Sequence, residues 1–352
     1  MANSKEARSS ALVQLTLTRF REFLREPEAV FWTFVFPLLL ATGLGIAFRN
    51  RPAEVSKVAV LSASPNASGV AATLTADEGI EAEVLDDSAA TTALRIGAIA
   101  MLVVPGDSGR VEYRYDAARP ESRTARLIVD RVLQQGAGRT DPMRVEERLI
   151  SERGSRYIDF VIPGLLGMNL MGGSIWGIGF STVDARRKKL LKRYVATPMS
   201  RAQYLMSFML MRLVLMVIEV AVLLGFGMLV FKVPMRGSVL ELALISLLAT
   251  AAFGAIGLLV ASRARTIEGA SGLMNAVMLP MWVASGIFFA ASNFPSVAQP
   301  FIQALPLTAV VDALRANMLR GGGWHLVGGE VAIISAWLVV CFFLALRLFR
   351  WK

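Results

Sequence analysis

The stretch DFVIPGLLGMNLMGGSIWGIGFSTVD, from Asp159 to Asp184, decides the fold, because the 24 residues between its two aspartates carry no charge. At 1.5 Å of helical rise per residue, about 20 apolar residues cross a hydrocarbon core of ~30 Å, so the run predicts a membrane-spanning helix. Charge returns immediately after it in ARRKKLLKRYVATPMS, residues 185–200. On the other side lie the 108 residues 49–156, with 15 Lys/Arg and 16 Asp/Glu, an ordinary water-soluble mixture.

The same signal recurs along the chain. Uncharged runs of 20, 21 and 43 residues separate Glu28 from Arg49, Glu241 from Arg263 and Glu268 from Asp312. Over all 352 residues, 55% are hydrophobic and 18% charged, against about 25% charged in soluble domains, which excludes a single soluble enzyme. Six spans are expected: Ala29–Phe48, Phe160–Val183, Tyr204–Phe231, Leu242–Ser262, Gly269–Ala290 and Val327–Leu346. Asn293–Val311 contains Pro295, Pro300 and Pro306 and reads as short helices dipping into or lying on the membrane. The first long apolar run has no small-residue cleavage site behind it and is expected to stay as an anchored span.

Residues 49–156 alternate short β-rich runs (Lys57–Ser62, Ile80–Leu85, Ala98–Pro105, Val111–Tyr115) with helical segments (Asn66–Ala76, Ser88–Ile96, Pro120–Gln135). That order predicts a small α/β domain. It holds no Gly-rich phosphate loop and no catalytic cluster. Ahead of the first span, Ala11–Glu26 places Val13, Leu17, Phe20 and Leu24 on one helical stripe, with Arg19, Arg21, Glu22, Arg25 and Glu26 on other faces. This is expected to be an amphipathic helix in the headgroup layer, ended by Pro27.

Lys and Arg set the orientation. With the N-terminus cytoplasmic, segments 1–28, 184–203, 263–268 and 347–352 hold 17 basic and 6 acidic residues, whereas the remainder holds 20 and 21. The whole net charge of +10 therefore sits on one side of the membrane, which argues against a nucleic-acid partner and for both termini in the cytoplasm. Domain 49–156 is then exoplasmic. Anionic membrane lipid alone accounts for much of the basic charge of 184–203, but Thr197-Pro198 also predicts a rigid helical elbow there, suited to docking a soluble partner.

Conventional catalytic and metal chemistry is poorly provided for. His325 is the only histidine, Cys341 the only cysteine, and no G-x-x-x-x-G-K-[ST] occurs, so this sequence brings no phosphate loop of its own. Within the third span, Arg212 and Glu219 stand two turns apart on one face, where ionisable groups must pair or face a cavity. Arg212 is expected to snorkel to the cytoplasmic interface, and Glu219 to lie deeper, paired or lining a transport path. Met206, Met209, Met211 and Met216 are expected to pack as gap fillers, and Gly172, Gly173 and Gly177 to form a close-packing face.

Five stretches together resemble one family: FREFLREPEAVFWTFVFPLLL (20–40), RYIDFVIPGLLGMNL (156–170), RRKKLLKRYVATPMSRAQYL (186–205), LPMWVASGIFF (279–289) and NFPSVAQPFIQALPLTAVVDALRANML (293–319). In this order they resemble ABC type-2 (ABC-2) exporter permeases with a large exoplasmic domain between the first two spans. The resemblance implies a cytoplasmic elbow helix at 1–28 with Phe20, Phe23, Arg25 and Glu26 at the ATPase. It implies a coupling segment at 184–203, in which Arg186, Arg187, Lys188, Lys189, Arg193, Thr197, Pro198 and Arg201 dock on that subunit. It also implies an exoplasmic gate around 291–328, to which Ser285, Gly286, Leu305, Pro306, Asp312 and Arg315 belong. Lys188-Lys189-Leu190-Leu191 replaces the acidic residue and Gly-Thr pair of many relatives, as in a subset with a large exoplasmic domain.

The implied protein is the permease of an ATP-driven exporter in the bacterial cytoplasmic membrane, moving an apolar or amphipathic compound outward. It binds no cofactor itself, ATP and Mg belonging to a separate ATP-binding subunit. It pairs with a second permease subunit, identical or related. The residues alone also admit a polytopic membrane enzyme, or an exoplasmic sensor signalling through its spans.

Overall fold

A computed structural model describes residues 2–48, 55–106, 110–140, 143, 154–188, 201–264, 266–321 and 323–348, without the side chains of 2–11, 185 and 201–205. The chain divides into two units, one formed by 1–49 with 151–352 and the other by 50–150.

In the first unit, α1 (Ala2–Arg25) is followed directly by α2 (Pro27–Ala47), the break falling where Pro27 opens the new helix. α2 contains one π-turn, Phe31–Val35. Next in this unit come α6 (Tyr157–Arg187), α7 (Arg201–Val230), α8 (Val239–Arg263) and α9 (Ile267–Ala284). Two short helices follow, α10 (Gln299–Gln303) and α11 (Pro306–Arg315), the latter running into a π-turn at Ala316–Arg320, and α12 (Trp324–Leu348) closes the unit. Among the described residues, five helices are long and apolar enough to cross a membrane: α2, α6, α7, α8 and α12. The unit is thus a polytopic helical membrane assembly.

The stretch expected as a fifth span, Gly269–Ala290, is helical only as far as Ala284. Pro280 lies within its last two turns, and at Gly286 the backbone enters the left-handed region (φ +73°), turning the chain out of the helix. Asn293–Val311 forms short helices opened by prolines, as its three prolines predict.

α6 and α8 form the centre of the core. Their closest approach needs Gly257, where a Cβ would stand 2.8 Å from the Ile175 carbonyl oxygen. Leu165, Leu166, Leu170, Ile175, Ile245 and Phe253 are sealed between helices, whereas α2 and α12 keep large apolar side chains such as Leu39, Ile46, Val339 and Phe343 outside. In a water-soluble protein that exterior would be a liability; against acyl chains it costs nothing.

The second unit is a four-stranded sheet in the order β2-β1-β3-β4, with β1 (Ser56–Leu61), β2 (Ile80–Leu85), β3 (Met101–Pro105) and β4 (Val111–Arg114). β1 pairs in parallel with β2 and β3; β4 joins β3 antiparallel, Val103 opposite Tyr113. α3 (Ala67–Thr75) connects β1 to β2, α4 (Asp87–Ile96) crosses from β2 to β3 on the other side of β1, and α5 (Pro120–Gly136) follows β4. The alternation of β1 and β3 divides the core. Val58, Val60, Met101 and Val103 pack with Leu74 and Val129, while Ala59 and Leu102 pack with Ala90 of α4. Asp86 caps α4, its carboxylate accepting from the Ala89 amide at 2.7 Å, which holds that carboxyl below the usual range.

Candidate functional site

Two polar constellations are built into the membrane unit, both resting on α6. The first is central. Arg212 of α7 is buried, and its guanidinium grips Glu219 two turns along the same helix, Nη2 donating to Oε2 at 3.0 Å and Nη1 to Oε1. Arg212 also reaches α6, Nε donating to Ser174 Oγ at 3.2 Å and Nη2 to the Leu170 carbonyl at 3.4 Å. The snorkelling expected of Arg212 is therefore not what the structure shows: a carboxylate and two acceptors on α6 satisfy it where it stands. Gly173 makes room, since a Cβ there would meet Arg212 Nη1 at 2.7 Å. Gly177 has open space and Gly172 ordinary contact, so of the three expected close-packing glycines only Gly173 is required. Of the α7 methionines, Met216 is buried, but Met206 and Met209 face outward and fill no gap in this chain.

The second constellation gathers the turn after α9, the N-terminal end of α6 and one face of α11. Arg315 donates from Nε to the Phe160 carbonyl at 3.3 Å and from Nη2 to the same oxygen at 3.2 Å and to the Gly286 carbonyl. Its guanidinium carbon stands 3.6 Å from the centroid of the Phe160 ring. Tyr157 donates to the Phe288 carbonyl at 2.8 Å, pinning the same turn. Asp312 lies one turn before Arg315, 3.6 Å from it. Burial pushes the Asp312 carboxyl up, opposed by Arg315, and pushes the Arg315 guanidinium down to about 10, opposed by Asp312. Beside them opens a cavity of about 440 Å³.

The expected gate residues thus split. Gly286, Asp312 and Arg315 come together with Ser285 adjoining, and Leu305 and Pro306 begin the helix that carries them. Glu219 stands apart: the α6 partners of Arg212, which holds it, lie 10 to 14 residues beyond Phe160, roughly 15–20 Å along the helix.

At the other end of α6, Arg186 donates to the carbonyls of Ala261 and Ala264 at 3.2 and 3.3 Å, satisfying acceptors at the end of α8. Arg187 and Lys188 are exposed, Lys188 pairing with Asp184 at 2.8 Å. Lys189, Arg193, Thr197 and Pro198 lie outside the described residues, as does the side chain of Arg201, which opens α7.

α1 lies against α7. Arg19 Nε donates to Ser207 Oγ at 3.1 Å and its guanidinium covers the Phe208 ring, while Phe23 meets Phe34 of α2 edge-on at 6.3 Å. The stripe Val13, Leu17 and Leu24 faces outward and Phe20 is half-buried, so the helix packs through its Arg19–Phe23 side and leaves its apolar stripe uncovered. Arg25 and Glu26 are exposed.

Sequence reasoning missed several of these groups. Asp159 served only as the end of an uncharged run, yet it is fully buried and accepts from the Gly154 amide and from Arg156 at 2.7–3.2 Å. Its position three residues after the helix start was the available signal. Glu241, buried and accepting from Asn317 Nδ2 at 2.9 Å, stands three residues after the cap residue Ser238, and that Ser-x-x-Glu spacing ahead of an apolar run was the available signal.

A sequence model of the "ABC-2 family transporter protein" family matches residues 28–347, taking in both constellations and the domain between α2 and α6. The chain belongs to the ABC-2 transporter family. Among similar proteins is "ABC transporter G family member 20" of Dictyostelium discoideum, 26% identical over 193 residues, which is 54% of this chain but 26% of that protein. This ABC-2 chain therefore spans about a quarter of that relative's length. "Probable multidrug ABC transporter permease YbhS" of Escherichia coli (strain K12) is 25% identical over 334 residues, 87% of this chain and 88% of that protein.

Proposed function

We propose that the chain is the permease subunit of an ATP-driven ABC exporter, moving an apolar or amphipathic compound, such as a drug, lipid or secondary metabolite, out across the cytoplasmic membrane. The family match from residue 28 to 347 carries this reading, and the near full-length likeness to a relative named as a multidrug permease supports it. No phosphate-loop motif occurs in these 352 residues, so ATP and Mg are assigned to a separate ATP-binding subunit. We count α9 as the sixth span and place 49–156 outside and both termini in the cytoplasm, on the one-sided distribution of Lys and Arg.

In this reading α1 and segment 184–203 receive the ATPase. The outward stripe Val13, Leu17 and Leu24 meets lipid headgroups, and a second permease subunit completes the path. The Gly286–Asp312–Arg315 constellation closes its outer end. Closure of the ATPase on ATP moves 184–203, opens the outer end, and hydrolysis resets it; net export requires that the two states differ in affinity for the compound.

The test is reconstitution in liposomes with the co-purified ATPase. ATP-dependent movement of an amphipathic dye, abolished by replacing Lys188 and Arg187 with Glu while the permease stays folded, is the expected result. A stably purified chain whose cytosolic partner is a kinase, with no associated ATPase, overturns the reading.

A further inference from the structure

The cavity beside Arg315 holds more polar chemistry than a closed gate requires. α11 lines it with Thr308, Asp312 and Arg315, spaced four and three residues apart and so on one face, and the following turn adds Arg320. Arg315 spends its donors on the carbonyls of Phe160 and Gly286 and has a structural job. Two lining groups do not. Thr308 is 3% exposed, yet its hydroxyl has no hydrogen-bond partner among the described residues. An orphaned buried hydroxyl is costly unless something else occupies the site. Asp312 keeps half of its side chain accessible and meets Arg315 only at 3.6 Å, too long for a hydrogen bond.

The lining carries both signs. Asp312 faces it with Arg315 and Arg320, and Arg315 is committed to the Phe160 and Gly286 carbonyls, which leaves one carboxylate and one cation. Such a field favours neither a simple anion nor a simple cation, but it suits a ligand carrying both signs a few atoms apart. Exposed apolar side chains lie on the segments that supply the lining: Phe289 next to Ala290, and Val297 and Phe301 two residues either side of Gln299. A volume of about 440 Å³ falls within the range of small-ligand sites.

We infer that this cavity binds the headgroup of a zwitterionic aminophospholipid, the primary ammonium donating to Asp312 and Thr308, the phosphate facing Arg320, and the acyl chains leaving over Val297 and Phe301. The ammonium supplies the hydrogen-bond donors that Thr308 Oγ and the Asp312 carboxylate lack, and a quaternary amine could not. This binding is independent of whether the lipid is cargo, so it stands or falls separately from the export reading.

The experiment measures lipid binding to the purified full chain by native mass spectrometry, with thermal stability in mixed micelles as a second readout. The probes are phosphatidylethanolamine, phosphatidylcholine, phosphatidylglycerol and free O-phosphoethanolamine. Phosphatidylethanolamine is expected to bind at least about tenfold tighter than phosphatidylcholine, as the loss of charge-assisted hydrogen bonds implies. Asp312→Asn and the near-isosteric Thr308→Val are each expected to erase that preference without altering the elution profile of the protein. Equal binding of all three lipids, or a preference untouched by both variants, overturns the site. Full competition by free O-phosphoethanolamine at matched concentration overturns the lipid as occupant.

Discussion

Removing Arg212 should damage this protein more than removing the carboxylate it holds, and removing both should damage it least. The guanidinium makes two hydrogen bonds to Glu219 and one each to Ser174 Oγ and the Leu170 carbonyl. Arg212→Leu leaves Glu219 with both oxygens buried and unpaired, since its side chain is fully sealed; breaking a buried pair in this way costs about 3–5 kcal/mol. Glu219→Gln leaves Arg212 with both acceptors on α6 and one amide oxygen, so about 1.5–3 kcal/mol is expected, the range for hydrogen bonds to a charged group. The double variant Arg212→Leu/Glu219→Leu removes both charges, and similar apolar replacements of buried pairs are near neutral, so it should lie within about 1 kcal/mol of the native protein. A double-mutant cycle on reversible unfolding in bicelles measures the coupling, expected at about 2 kcal/mol or more. Additive losses would refute the argument, because they would mean that each charge finds another partner or water when alone. A third variant checks the geometry: Gly173→Ala pushes directly on Nη1 and should be costly in the native background but mild beside Arg212→Leu.

In the sheet domain, Leu74→Ala should cost about 2–5 kcal/mol, because Leu74 is fully buried between α3 and the strands; chemical denaturation of residues 50–150 followed by circular dichroism measures it. Burial, with the Asp130 carboxylate that its hydroxyl meets at 3.2 Å, pushes the Tyr113 phenol up to about 12. A raised folded-state pKa means that this contribution is whole below pH 10 and is lost as the pH rises towards 12, so Tyr113→Phe should flatten the alkaline limb of the stability curve. Ala118 is exposed, and the single native cysteine, Cys341, is buried. Ala118→Cys should therefore react with an impermeant maleimide on intact cells, and reaction only after lysis would reverse the assigned topology. Arg19→Ala should loosen α1 from α7, raising proteolysis at the α1–α2 junction while leaving the sheet domain's melting unchanged.

Periodicity and charge gaps made the long helices legible, because crossing a membrane forces a length and excludes charge whatever the neighbours are. The four strands were legible for a similar reason: Ile80–Leu85 and Val111–Arg114 are short β-rich runs closed off by turn residues. Where α9 stops was harder, since hydropathy continues to Ala290 while the left-handed Gly286 and the pull of Arg315 on its carbonyl end the helix earlier. The pairing of Arg212 was misjudged because snorkelling is a property of one helix, whereas the acceptors that hold the guanidinium in place belong to α6. Thr308 and Arg320 were invisible for the same reason. A hydroxyl or cation on a short helix says nothing until the cavity beside it exists.

α6 is where these tertiary terms accumulate. Arg156 closes its first turn on Asp159 at 2.7 Å, Arg315 takes the Phe160 carbonyl, and Arg212 takes the Leu170 carbonyl and Ser174. Near the last turn Arg186 reaches out to the end of α8. Carbonyls already accepting within the helix have a second lone pair to offer, so guanidinium groups can tie helices together without opening the backbone ladder. A helix held at four levels by such donors, and buried over most of its apolar length, resists bending. Under the export reading proposed above, a push delivered to the basic segment that begins at Asp184 moves α6 together with the end of α8 and reaches the Arg315 turn as a displacement of its Phe160 anchor. On this argument Arg186→Ala should uncouple ATP hydrolysis from transport while leaving ATPase binding intact. Arg187→Glu should instead weaken binding itself, because Arg187 is exposed and Arg186 is spent on α8. Equal loss of ATPase binding in both variants would show that Arg186 docks rather than transmits.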